Sequence, residues 1–407
     1  MRKIISLIVL FFVLGSSAVW AADFDFDHLF QDDLITEVDL ESGPEKPEEA
    51  LLVSDRLEAG GRYDFSLQAS RLYPQGGESK DSFRTRLGGQ IFLDARPDPN
   101  FRVFGKMGLD LDLNKQGEEA GSAWKSNLLE LFSDFNYENK VFFRAGKQNA
   151  KWGVGYFFSP ADLISIGRID PLDPEAEREG PLALKIHYPQ GSNNYYTYLL
   201  LDKARKAEEI AVAPKLEYVL GRAELGLGGF YQKDKAPRMM LTLSTSLGES
   251  ALFAEAVVSK GSDKHFFENG LPVKKDGYFF HATIGATFKF EDPAGFFDFS
   301  GAAQYYYDGE GTGFGSQIFR PEDKHNLAAA LSWNKILKSK FSASALWLTN
   351  LSDRSGLVST TFTLPSLGSI APSVGFSLNH GGPETEFGLG GRHKTVFVAV
   401  TLGSGSF

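Results

Sequence analysis

From Arg56 onward the chain repeats one pattern, segments of 9 to 15 residues in which side-chain character alternates, broken by Gly, Pro, Asn and Asp. Residues 277–290, GYFFHATIGATFKF, show it most clearly. Tyr278, Phe280, Ala282, Ile284, Ala286, Phe288 and Phe290 share one face, and Phe279, His281, Thr283, Gly285, Thr287 and Lys289 share the other. A period of two is that of a β-strand. The apolar face carries aromatics at its ends and small aliphatics between them. A protein interior has no reason to grade its side chains in this way, whereas a bilayer takes aromatics at its two interfaces and aliphatics in its hydrocarbon. Lipid cannot satisfy an open sheet edge, so strands of this kind must close into a barrel.

Such segments fall at 56–70, 82–94, 100–114, 124–137, 140–149, 181–189, 193–202, 210–220, 222–232, 238–247, 250–260, 277–290, 295–308, 325–334, 340–350, 356–364, 371–380 and 394–403. The expected fold is therefore all-β, a transmembrane antiparallel up-and-down barrel of about 18 strands, with 16 as the alternative count. The connections support this independently. Every second one is a short turn (ARPDP, EN, QGSN, G, GE, EDPAG, NKILK, LPSLGSIA), and those between are mostly longer and more polar. Short turns at one end, longer loops at the other and an even strand count are the pattern of outer-membrane barrels.

Charged residues at 23% of the chain would argue against a helical membrane protein, but a barrel escapes that argument because lumen-facing residues alternate with lipid-facing ones. The N-terminus has a basic start (Arg2, Lys3), an apolar run from Ile4 to Leu14 and small residues up to Ala21. Residues 1–21 read as a secretory signal peptide, so the expected location is the outer membrane after signal-dependent export. Residues 22–50 hold eleven Asp or Glu and one Lys, which concentrates nearly all of the chain's net charge of −10 there. Segment 22–55 is expected to be an acidic, largely disordered periplasmic leader, and 56–407 the barrel. The terminal Phe407 is similar to the closing aromatic of an outer-membrane assembly signal, here after a GSGS spacer.

Eighteen strands enclose a water-filled lumen. Alternation turns Arg62, Arg84, Arg86, Arg102, Lys106, Arg144 and Lys185 inward on the first six strands, together with Asp64, Asp94, Asp110 and Asp112. Strands twelve to eighteen offer mostly Ser, Thr, Gly, Ala and Asn. One wall is thus expected to be basic and the other small and neutral. The third long connection, 150–180, has an apolar middle (Phe157, Phe158, Leu163, Ile164, Ile166) that suits folding inward, and a run of acids that includes Asp162, Asp170, Asp173, Glu175, Glu177 and Glu179. Acids on such a loop facing bases on the wall would set a transverse field across a narrow aqueous passage. Trp152 suits the membrane rim, and Gly153 and Gly155 let the backbone turn into the lumen.

A third external loop folded inward resembles the constriction loop of general porins. The string formed by Gly146, Lys147, Gln148, Trp152, Gly153, Pro160 and Asp162 (G-K-Q…W-G…P-x-D-L) resembles an element of porin-like outer-membrane families, among them the alginate-export porins. The resemblance implies a diffusion channel. Because bases and acids are mixed in this lumen, polyuronate specificity is not carried over. The expected function is passive or weakly selective diffusion of small hydrophilic, preferentially anionic, solutes; the alternative is a surface-exposed structural barrel or adhesin without significant transport. The expected partners are outer-membrane lipid, the barrel-assembly machinery and those solutes.

Catalysis is not expected. His187 and His281 face inward, and no Ser–His pair at strand spacing lies on the lipid face. The seven His are scattered without a metal-ligand pattern. No phosphate-binding glycine loop follows a strand and opens a helix, so neither a cofactor nor a nucleic-acid partner is expected.

Overall fold

Alternation from Arg56 onward is expressed as a single closed sheet. The computed structural model describes residues 56–406, apart from positions 75, 115–122, 203, 265, 269–270, 274, 297, 312–323, 337–338 and 389–391. The signal peptide, the acidic leader and Phe407 lie outside the described residues. The strands are β1 (Leu57–Pro74), β2 (Lys80–Asp98), β3 (Phe101–Asp112), β4 (Trp124–Tyr137), β5 (Val141–Lys147), β6 (Leu182–Gln190) and β7 (Asn193–Leu200). Then come β8 (Ala211–Leu220), β9 (Ala223–Phe230), β10 (Arg238–Leu247), β11 (Ser250–Lys260) and a short hairpin, β12 (Phe266–Glu268) with β13 (Leu271–Val273). The chain ends with β14 (Tyr278–Glu291), β15 (Asp298–Asp308), β16 (His325–Asn334), β17 (Ser342–Asn350), β18 (Ser355–Thr363), β19 (Ile370–His380) and β20 (His393–Ser406).

All but β12 and β13 belong to one 18-stranded antiparallel sheet in which neighbours in sequence are neighbours in space. β1 pairs with β2 on one side and β20 on the other, with Arg62 opposite Ser406 and Leu67 opposite Val400, and this closes the barrel. Each of the eighteen expected segments is a barrel strand. The short turns have the chemistry their sequences require. Glu138 and Asn139, between β4 and β5, take φ of 53° and 54°, the successive positive values of a tight hairpin turn.

The two faces of β14 answer the grading of its sequence. Ile284, in the middle of the outward row, is 62% exposed, whereas Thr283, its inward neighbour, is 3% exposed. Phe280 and Phe288 are also exposed, as are Leu252 and Val258 on the neighbouring β11. The same outward belt passes through Phe83, Ile91, Leu131, Leu227, Met239, Leu241, Leu331, Trp347 and Phe362. Removing each large apolar side chain from water is favourable by about 1.5–3 kcal/mol, so a belt of this size stands in hydrocarbon. Ile284→Arg is expected to cost about 2–4 kcal/mol, because it sets a charge at the middle of the lipid face. The measurement is the denaturation midpoint of the barrel in lipid vesicles, and an unchanged midpoint would remove lipid from the outside of β14.

Candidate functional site: the lumen and its third external loop

Inward side chains on β2 to β6 form a charged ladder rather than a bare basic wall. Arg102 donates from Nε and Nη2 to both carboxylate oxygens of Asp94, at 2.8 and 3.0 Å, and its Nη1 lies 3.5 Å from Asp134. Arg144 grips Asp134 from the other side at 2.6 and 3.1 Å. Paired two-oxygen contacts of this kind fix a guanidinium in direction as well as in place. Aromatic rings lie beneath the arginines, with Arg102 5.1 Å from the Phe104 ring and Arg144 4.0 Å from the Phe132 ring. Lys185 is the register partner of Arg144 and stands over the rings of Tyr196 and Tyr198, at 5.0 and 5.9 Å. Higher on β2, Arg86 donates to Asp110 at 2.6 Å, and Arg84 is exposed near the loop end of the strand. Arg84, Arg86, Arg102, Lys106, Arg144 and Lys185 stand on β2 to β6 and Arg62 on the adjoining β1, interleaved with acids. Asp134, which sequence reasoning missed, links two of the arginines.

The segment between β5 and β6 turns into the barrel. Its backbone is held by three inward residues of the wall, on β8, β11 and β15. Lys215 on β8 donates to the Trp152 carbonyl at 2.9 Å. Glu255 on β11 accepts the N–H groups of Val154, Gly155 and Ala161 at 2.5, 2.6 and 2.8 Å, and the Ser159 hydroxyl at 3.0 Å. Gln304 on β15 accepts from the Tyr156 and Phe157 amides at 3.1 and 2.7 Å and donates to the Phe158 carbonyl at 2.5 Å. Close approach explains the glycines. A Cβ on Gly153 would lie 1.7 Å from the Ser159 hydroxyl, and one on Gly155 1.9 Å from the Phe158 carbonyl.

The residues that carried the resemblance are anchors of this loop. Gly146 has φ +134°, and a Cβ there would lie 2.3 Å from the Leu131 carbonyl. Gln148 is buried and donates to the Ala183 carbonyl at 3.0 Å. Pro160 is half-buried between Ser159 and Ala161, which both bond to Glu255. Trp152 corrects an expectation. It is not at the membrane rim but inside the barrel, 2% exposed, edge-on to Tyr198 and packed with Ala183, Ala213, Met240 and Val257. An indole prefers an interface when its strand stands in lipid, but here the chain has already left the wall and takes the side chain inward.

The loop's acids meet the wall at two places. Glu177 pairs with Lys106 and lies 3.9 Å from Arg62, and Glu179 pairs with Lys147. Asp162 instead pairs within the loop, with Arg178 at 2.8 Å, and Glu175 accepts the Tyr156 hydroxyl at 2.7 Å. Asp170 and Asp173 close a small turn. Partial burial and the nearby Asp170 carboxylate push the Asp173 carboxyl above its ordinary value. Its contribution to loop stability is therefore complete below the ordinary carboxylate range and is lost as pH rises through the raised value.

The opposite wall corrects a second expectation, for it is neither simply small nor neutral. Tyr156, Phe157 and Phe158 pack against Phe253, Ala302, Tyr306, Ala328, Leu346, Leu348 and Leu357. These positions share the inward faces of their strands, and the loop covers them. The same wall gathers His281, Asp308 and Glu310, with their ligand atoms within 4.8 Å of one another, out of a set of His that looked scattered in sequence. Antiparallel register brings the first two together, since His281 and Asp308 are direct partners across β14 and β15.

A closed antiparallel barrel of eighteen strands, with an inward third loop and a charge-lined lumen, defines a porin-like barrel. Solved structures of this fold include Pseudomonas aeruginosa OccK8 (OprE), with TM-score 0.51, 8% identity, and coverage of 87% of this chain and 99% of that one. Another is Pseudomonas aeruginosa OccK2 (OpdF), with TM-score 0.51, 12% identity, and coverage of 86% of this chain and 98% of that one. A second OccK2 structure, in complex with glucuronate, has TM-score 0.50 at 11% identity and covers 86% and 98% of the two chains. At these identities the likeness is one of fold. No family model and no curated protein matches the sequence.

Proposed function

We propose that the chain is an outer-membrane channel for diffusion of small hydrophilic solutes with a preference for anions, and that the segment 150–180 is its constriction. The observation that carries this reading is the opposition of Glu177 and Glu179 on the loop to Lys106, Arg62 and Lys147 on the wall. A transverse field of this kind orders water and aligns dipolar solutes in a narrow passage, where charges act more strongly than in bulk water. The wall also offers guanidiniums stiffened by aromatic rings and carboxylates, next to the phenols of Tyr196 and Tyr198. A sugar acid combines one carboxylate with several hydroxyls and matches that lining, and OccK2, a barrel of the same fold, has been solved with glucuronate. Liposome swelling with neutral sugars, amino acids and sugar acids of equal size tests the proposal. Faster entry of the sugar acids supports it. No swelling with any solute, together with a silent trace in a planar bilayer, would favour the structural or adhesive barrel instead.

A further inference from the structure

The His281–Asp308–Glu310 cluster takes no part in the charge opposition across the lumen. We propose that it is a binding site for a divalent transition-metal ion, Zn2+ being the ion its donors fit best, joining the loop ends of β14 and β15. His281 Nδ1 lies 3.2 Å from Asp308 Oδ1, and one ring nitrogen of His281 with one oxygen from each acid gives three donor atoms within 4.8 Å of one another. Donors placed about 2.0–2.2 Å from a tetrahedral Zn2+ are about 3.3–3.6 Å from each other, so small side-chain rotations bring this set onto one ion. One imidazole with two carboxylates suits Zn2+ better than Ca2+ or Mg2+, which take oxygen ligands alone.

The donors are dry and held in place. Asp308 is 0% exposed. Its amide donates to the Lys324 carbonyl at 2.7 Å, the Glu310 amide donates to Asp308 Oδ1 at 3.0 Å, and the Ser262 hydroxyl donates to Glu310 at 2.5 Å. The Tyr306 hydroxyl lies 3.4 Å from His281 Nδ1. Two carboxylates this far from water require a cation beside them. The Lys264 ammonium holds that position in the structure, touching Glu310 and lying 3.9 Å from Asp308. Among the described residues, Arg168 of the third loop also lies close enough to act on Lys264 electrostatically. The Lys264 side chain is one quarter exposed, so its ammonium can withdraw to solvent while the three donors stay fixed.

Asn326 gives a separate indication. Both atoms of its amide are buried without a partner among the described residues. It stands directly across from Tyr306 in the β15–β16 register, which makes it a diagonal neighbour of Asp308 on the same inward face. An orphaned buried amide on this wall is a neutral donor for a fourth ligand or for a bound water.

The test is calorimetric titration of the folded, chelator-stripped barrel in detergent with Zn2+ alone, and with Mg2+ and Ca2+ in parallel. One Zn2+ per chain is expected, with Mg2+ and Ca2+ at least about tenfold weaker. His281→Ala and Asp308→Asn should each lose about tenfold or more in Zn2+ affinity, and Lys264→Met, which removes the competing ammonium, should gain. Heat-modifiable migration on a gel confirms that each variant is folded. Absence of Zn2+ binding by the wild type overturns the proposal. Binding by Lys264→Met alone also overturns it, because the ammonium then owns the position in the native chain. Undiminished binding by His281→Ala does the same, placing the ion elsewhere, such as among the acids of residues 22–50.

Discussion

Replacing Glu255 with Ala is expected to release the third external loop from the wall and raise single-channel conductance. One carboxylate accepts three backbone amides and a hydroxyl from the stretch between Val154 and Ala161. Hydrogen bonds to a charged acceptor contribute about 1.5–3 kcal/mol each. Even two of them move the balance between docked and undocked loop by about a hundredfold or more. Removing the acceptor also strands the amides in a space that Trp152 and Phe157 keep dry. The effect should be specific to the loop, because Glu255 points into the lumen and its strand keeps its pairings to β10 and β14. The variant should therefore still migrate as a heat-modifiable barrel while its conductance rises and becomes noisier. Wild-type conductance in a folded Glu255→Ala barrel would mean that the loop does not limit the passage.

The second large effect is on selectivity. The combined variant Arg62→Gln, Arg86→Gln, Lys106→Gln and Arg144→Gln is expected to turn the channel towards cations. The arithmetic of four lost charges understates the change, because Asp110 and Glu177 lose the cations paired with them and Asp134 is left with Arg102 at 3.5 Å. The opposite shift, towards anions, is expected of Asp134→Asn, which leaves Arg144 without the carboxylate that grips it. Both are read as the reversal potential under a salt gradient. The gradient should be built near 0.1 M, where the screening length is about 10 Å, because at 1 M it falls to about 3 Å and hides the wall. Equal reversal potentials for the wild type and the fourfold variant would sink the selectivity argument while leaving the barrel untouched.

The barrel was legible because period-two alternation and turn chemistry are local properties, and each of the eighteen spans could be read without reference to the rest. Inward and outward faces followed for the same reason, as Ile284 and Thr283 show. Contacts made across the lumen were not legible. Alternation says that Glu255 and Gln304 face inward but not that a segment 100 and 147 residues earlier, respectively, will lie against them. A faint signal existed. Glu255 is the one acid among the small and apolar residues of SALFAEAVVSK, and Gln304 interrupts a row of Ala and Tyr. A charge or an amide on such a strand needs a partner from elsewhere. Trp152 was misplaced because the preference of indole for an interface was applied to a residue whose backbone had left the wall. The His281 cluster was missed because its members come from separate strands, and register rather than sequence spacing joins them.

The clamps on the third loop also impose an order on assembly. Lys215, Glu255 and Gln304 can hold the loop only once β8, β11 and β15 have taken their places in the wall. Contacts so distant along the chain form late. The loop can therefore be fully clamped only when most of the wall is present, and its seating reports on the completeness of the wall around it.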